Sequence, residues 1–196
     1  MDAGKLKVLG ILGSPRKKGN TELLLNEALK GAEGGGAAVE RIETRKLKIA
    51  PCDESYRCME AGECAVRDAM QEVYPKLLDA DGIILAAPIF FYGLPSQTKA
   101  LIDRCQSLWV RKYILKKPFA PSKRRKGVFV SVGATSGAKL FDGAVLTVKY
   151  FFDVLDAEYA GSLLVRGVDW EGDILKHPTA LKDAFGLGLK LARGSI

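Results

Sequence analysis

Three short stretches carry the residues with chemical potential. The first is Gly13-Ser14-Pro15-Arg16-Lys17-Lys18-Gly19-Asn20-Thr21, set between the apolar run Leu6–Leu12 and an apolar face that begins at Leu23, Leu24 and Leu25. A short apolar run with little polar alternation suits a strand buried on both faces of a parallel sheet. The stretch therefore reads as strand, loop, helix, which places unpaired backbone N–H groups and a positive helix end in front of an anion. Ser14, Asn20 and Thr21 add side-chain donors, and Arg16, Lys17 and Lys18 add positive charge. A phosphate group is the expected ligand. The loop is not a mononucleotide P-loop, since no Lys follows Gly19, and Gly10 to Gly19 does not supply G-x-G-x-x-G.

The second stretch is the aromatic run Phe90-Phe91-Tyr92, which follows an apolar strand ending at Pro88. Any one of these aromatics reads equally well as a core residue at a strand end. The third is the cysteine group Cys52, Cys58 and Cys64, in a segment with no clear period. Zinc on these thiols would need a fourth ligand, and the single histidine, His177, is far away in sequence. His177, before Pro178, reads as a surface residue at a helix entry. Cys105 lies on the apolar face of a helix and reads as packing.

The elements that must position these residues follow from the apolar pattern. The expectations are strands at 6–12, 38–43, 82–87, 127–133 and 159–165, with a flexible connection at 31–36. Helices are expected from Leu23, over 69–78 (shortened or kinked by Pro75), over 95–109, over 141–155 and over 181–191. Lys99 and Asp103 fall at i, i+4 on the third of these helices and read as a structural ion pair, with Arg104 beside them. Strands alternating with helices imply right-handed βαβ units, an α/β fold with a parallel sheet covered on both faces. Five strands favour the order 2-1-3-4-5, with the ligand at the carboxyl ends of the strands, near the β1/β3 switch point. Three loops would then meet there: 13–21, 88–95 and the small-residue loop after the fourth strand, Gly133-Ala134-Thr135-Ser136-Gly137.

Size and composition bound the function. At 196 residues, with 47% hydrophobic and 27% charged, the chain suits one soluble domain spanning 1–196. No apolar run reaches membrane-spanning length and no signal-peptide core opens the chain, so a cytoplasmic location without membrane association is expected. Four cysteines in a chain this long do not read as a disulfide framework. The formal charge of +7 would suit nucleic acid, but the basic residues are spread out. The one basic run, Lys123-Arg124-Arg125-Lys126, is expected to be part of a solvated surface loop over 111–126. No nucleic-acid partner is expected; an anionic cofactor and an anionic nicotinamide nucleotide would be served by the same positive field.

Gly13-Ser14-Pro15-Arg16, with Gly19-Asn20-Thr21, resembles the phosphate loop of the NADPH-dependent FMN reductase and iron–sulfur flavoprotein family, which is flavodoxin-like. Ala80–Arg104, ADGIILAAPIFFYGLPSQTKALIDR, is similar to the flavin-ring segment of the same family. The resemblance implies a three-layer sandwich binding FMN. Ser14, Arg16, Lys18, Asn20 and Thr21 would hold the phosphate, and Pro88, Ile89, Phe90, Phe91, Tyr92 and Gly93 would line the isoalloxazine. Gly133, Ala134 and Thr135 would form the third loop. It further implies hydride transfer from NAD(P)H and delivery of electrons to a flavin, quinone or other small acceptor, with no catalytic side chain required because the cofactor carries the chemistry. A homodimer or homotetramer is the implied assembly. Iron–sulfur flavoproteins carry C-x2-C-x2-C-x5-C after the second strand; the matching positions here are Cys52, Ser55, Cys58 and Cys64. Serine is a poorer ligand for iron than a thiolate. The expectation is therefore a thiol loop, with an iron–sulfur electron-transfer centre as the alternative.

Overall fold

The computed structural model describes residues 5–117 and 125–196. Five parallel strands form one sheet: β1 (Lys7–Leu12), β2 (Ala38–Glu43), β3 (Gly82–Ala86), β4 (Arg125–Gly133) and β5 (Ala157–Arg166), in the order β2-β1-β3-β4-β5. The register sets Ile11 beside both Ile42 and Leu85, so the apolar centres of β1, β2 and β3 coincide. Because side chains alternate across a strand, Leu9, Ile11, Ile83, Leu85 and Phe129 join one core while Val8, Leu12, Ile84, Ala86 and Val130 join the other.

The first core is closed by α3 (Met70–Asp79), α4 (Ser96–Arg104) and α6 (Asp142–Val154), and the second by α1 (Asn20–Gly34) and α7 (Ala180–Arg193). A one-turn α2 (Cys58–Ala61) interrupts the cysteine segment, and α5 (Gln106–Trp109) follows α4. This is the flavodoxin-like three-layer sandwich, with the expected strand order.

The helices depart from expectation most clearly at Gly31, Pro75 and Cys105. Helix α1 continues through Gly31 to Gly34 where a flexible connection was expected. A Cβ at Gly31 would stand 2.0 Å from the Phe185 carbonyl oxygen, and one at Gly188 would stand 1.8 Å from the Ala28 oxygen. These glycines let α1 and α7 touch backbone to backbone, so they are packing surfaces rather than a break. Pro75 lies inside α3 with its ring exposed, and the helix runs on to Asp79. The helix expected over 95–109 divides at Cys105, then continues as a π turn over Val110–Ile114.

The basic run also departs from a solvated loop in its described part. Lys123 and Arg124 lie outside the described residues, but Arg125 opens β4 and is 2% exposed. Its guanidinium donates to the carbonyls of Leu77, Ala80 and Leu155, closing the C-terminal ends of α3 and α6 around one cation. Lys126 donates to the carbonyl of Ile196. Among the described residues, no helix is long and apolar enough to cross a membrane.

Candidate functional site

The loop between β1 and α1 is shaped by close approach. A Cβ at Gly13 would lie 2.4 Å from Thr98 Oγ1 and 2.9 Å from the Ala87 Cβ, so only glycine fits. The Thr98 hydroxyl, fully buried at the start of α4, donates to the Gly13 carbonyl at 2.9 Å. Gly13 N–H in turn donates to the Ala86 carbonyl at 2.7 Å, continuing the β1–β3 pairing into the loop. Helix α1 then begins at Gly19, an N-cap residue with no side-chain cap. The Asn20 and Thr21 N–H groups at its start have no intrahelical acceptors, whereas Glu22 N–H already donates to the Gly19 carbonyl at 3.0 Å, and Ser14, Asn20 and Thr21 are buried around this end.

The loop after β3 is held against β4: Ala87 N–H donates to the Val130 carbonyl and Ile89 N–H to the Val132 carbonyl, both at 3.0 Å. Phe90 and Gly93 then exchange two backbone hydrogen bonds of 2.9 Å, closing a two-residue turn over Phe91 (φ +49°) and Tyr92 (φ +62°). Such a turn normally takes Asn-Gly. Its occupation by two aromatics is strained and presents both side chains to solvent, with Phe91 fully exposed.

These loops meet on one cavity of about 360 Å3 at the carboxyl ends of the strands. Its polar end is Ser14, Arg16, Asn20 and Thr21; its apolar wall is Pro88, Ile89, Phe90 and Val132; Gly133 and Ala134 close a third side. Lys18, Phe91, Tyr92, Gly93 and Thr135 are not part of its walls. Lys18 adopts φ +54° and its N–H caps Glu22 Oε2 at 2.8 Å. Val168 and Asp169, from the connection after β5, also line the cavity and were missed by the sequence reading. Their only local signal is the Gly167 beside them (φ +69°).

Charge beside the anion end is balanced. Glu22, in the first turn of α1, pairs with Arg41 at 2.5 Å and Arg45 at 3.1 Å, and Glu43 pairs with the same two arginines. Burial pushes the Glu22 carboxyl upward, but donation from Arg41, Arg45 and the Lys18 N–H outweighs it and holds the pKa at about 2. Two acids and two arginines leave no net charge in this quartet, so its arginines are structural. A larger hollow of about 580 Å3 lies between α4 and α6, lined by Lys99, Asp103, Trp109, Tyr113 and Tyr150. Lys99 and Asp103 pair at 2.6 Å, as the helical spacing predicted, and Cys105 is core. His177 stands at the entry of α7, where its Nδ1 accepts the Thr179 and Ala180 N–H groups.

Cys52, Ser55, Cys58 and Cys64 share a second cavity, of about 130 Å3. Arg104 forms its floor: fully buried, it donates Nε–H to Cys64 Sγ at 3.3 Å, pairs with Asp68 at 2.6 Å, and donates to the carbonyls of Ala50 and Val66. Ser55 Oγ donates to Asp53 Oδ1 at 2.9 Å and accepts from Arg57 Nε at 3.2 Å. Burial, followed by the neighbouring cysteines, pushes the Cys58 thiol up. No group of three or more His, Cys, Asp or Glu among the described residues is arranged to hold a metal ion. The donor set is three thiols and a committed hydroxyl, which does not fit a four-thiolate iron–sulfur cluster.

The anion end and apolar wall of the first cavity do fit a flavin mononucleotide, by an uncapped helix N-terminus at one pole and an irregular aromatic loop at the other. Comparison with known proteins agrees. An iron–sulfur flavoprotein of Methanocaldococcus jannaschii is 42% identical over 197 residues, covering 95% of this chain and 96% of the relative. An iron–sulfur flavoprotein of Methanosarcina thermophila is 35% identical over 182 residues, covering 93% and 88%. Among solved structures, a flavone reductase superposes with a TM-score of 0.69 at 23% identity, over 97% of this chain and 63% of that one, a likeness of fold. The family model described as NADPH-dependent FMN reductase matches residues 6–160, a span that includes the 13–21 loop, the aromatic turn and the strands that carry them: the chain belongs to the NADPH-dependent FMN reductase family of oxidoreductases.

Proposed function

We propose that this chain is a single-domain flavoenzyme that accepts hydride from NAD(P)H and delivers electrons to a flavin, a quinone or another small acceptor. The observation that carries the reading is the meeting of the 13–21, 88–93 and 133–134 loops on one cavity, with the uncapped start of α1 at its polar end. When bound, FMN supplies the hydride chemistry. The protein's part is to hold and expose it. The α1 N–H groups and Ser14 and Thr21 take the phosphate. Ile89, Phe90 and the turn backbone support one face and edge of the ring, and exposed Phe91 and Tyr92 meet the incoming nicotinamide. Purified protein should bind FMN with dissociation constants in the micromolar range or below, and the bound flavin should bleach anaerobically on addition of NADPH or NADH. A chain that stays colourless after incubation with FMN would refute the reading.

A second reading, an electron-transfer module with an iron–sulfur centre at Cys52–Cys64, is supported by the relatives' description and by the shared thiol cavity. Anaerobic reconstitution with iron and sulfide separates the two. Under the first reading the wild-type chain takes up no stoichiometric iron, and Ser55→Cys raises iron content if the loop keeps the relatives' geometry. Stoichiometric cluster in the wild-type chain favours the second.

A further inference from the structure

Asn20 stands among the residues the sequence assigns to the phosphate, yet its amide is occupied elsewhere. Nδ2 donates to the Trp170 carbonyl at 2.8 Å, and Oδ1 accepts the Ile174 N–H at 3.3 Å. A carbonyl on one side and an N–H on the other fix which way the amide points. Arg16 does the same one residue earlier, its guanidinium donating to the Asp169 carbonyl at 2.9 Å. Two residues of the phosphate loop thus grip two successive carbonyls of the connection after β5. That connection is tied to the third loop as well, since Val168 N–H donates to the Gly133 carbonyl at 3.1 Å. Asp173 closes it from within by accepting Trp170 N–H at 2.8 Å and Asp169 N–H at 3.4 Å. Gly167 precedes the segment and Gly172 lies within it, both in left-handed backbone.

We propose that Val168–Ile174 is a fourth wall of the flavin cavity, and that Asn20 is the positioning residue that fastens it rather than a ligand of the phosphate. The segment joins the first loop to the third across the open side of the sheet. It thereby sets the width of the cavity between the phosphate pole and the ring pole, and Val168 and Asp169 face the space between them. This inference rests on the FMN reading of the site. It differs from a phosphate-ligand role in a measurable way, because a wall supports the whole flavin while a phosphate ligand acts on the phosphate alone.

The test compares FMN with riboflavin, which lacks the phosphate, on the full chain. Asn20→Ala should weaken both by a similar factor, about tenfold, the scale of losing buried hydrogen bonds. Asp173→Ala, remote from the phosphate, should do the same. In the apo protein, amide hydrogen exchange of Val168–Ile174 should speed up about tenfold in both variants while β1 and β3 stay protected. Loss of FMN affinity with riboflavin binding and loop exchange unchanged in Asn20→Ala would overturn the proposal. If either variant fails to fold, Asp173→Asn, which keeps one acceptor oxygen, is read in the same two assays. If the wild-type chain binds neither flavin, the flavin reading fails; faster exchange in the variants would still support the fastening, and unchanged exchange would overturn it.

Discussion

Phe91 and Tyr92 sit in backbone that bulky side chains avoid, at a cost on the order of 1–3 kcal/mol per residue, and they bury little in return. Replacing the pair with Asn-Gly should stabilise the protein by about 1–3 kcal/mol. The same change should lower NAD(P)H turnover by about tenfold or more if these rings meet the nicotinamide. Chemical denaturation and steady-state kinetics on one variant test both halves. Glu22 gives a prediction in pH. Its carboxyl is held at about 2 against an ordinary value of 4.5, so the native state favours the charged form. The stability it adds is present above the unfolded value and is lost as pH falls from about 4.5 toward 2. Melting curves between pH 2 and 7 should flatten in Glu22→Gln relative to wild type, with the variant less stable at neutral pH. The aromatic run and the 13–21 loop could be singled out from the sequence because their composition is local. Arg104 could not. Helical spacing named its neighbours Lys99 and Asp103, whereas its partners Asp68, Ala50 and Val66 come from a distant segment.

Helix α1 shows what an apolar pattern conveys and what it omits. The central strands β1, β3 and β4 were readable because each carries a compact apolar run bounded by turn residues, and a sheet covered on both faces leaves such runs little alternative. The Gly-rich stretch at 31–36 looked like a break because intrinsic preference is all that one sequence offers there. In the folded chain, Gly31 and Gly188 are the points where two helices touch. Gly31→Ala, favourable in an isolated helix, should here destabilise the protein by about 1–3 kcal/mol through overpacking against Phe185. Urea unfolding measures it, and a stabilised variant would show that the contact can relax. Arg125 repeats the lesson with charge: a cluster of Lys and Arg suggests solvent, yet one member caps three carbonyls in the interior.

Topology did most of the work of assembling the site. Once the strand order was inferred, the rule that ligands bind at the carboxyl ends placed three loops together without any knowledge of their side chains. The fourth wall escaped that logic, since β5 lies at the far edge of the sheet and nothing in its connection resembles a ligand loop. A further consequence follows from α4, whose first turn secures the Gly13 carbonyl through Thr98 and whose last residue, Arg104, reaches Cys64. The helix is a rod of fixed phase between the nucleotide cradle and the thiol chamber. One extra residue between 98 and 104 would turn one end about 100° relative to the other and lengthen the rod by about 1.5 Å. No single insertion there can satisfy both anchors, so the spacing of these two otherwise separate pockets is set by the pitch of one helix.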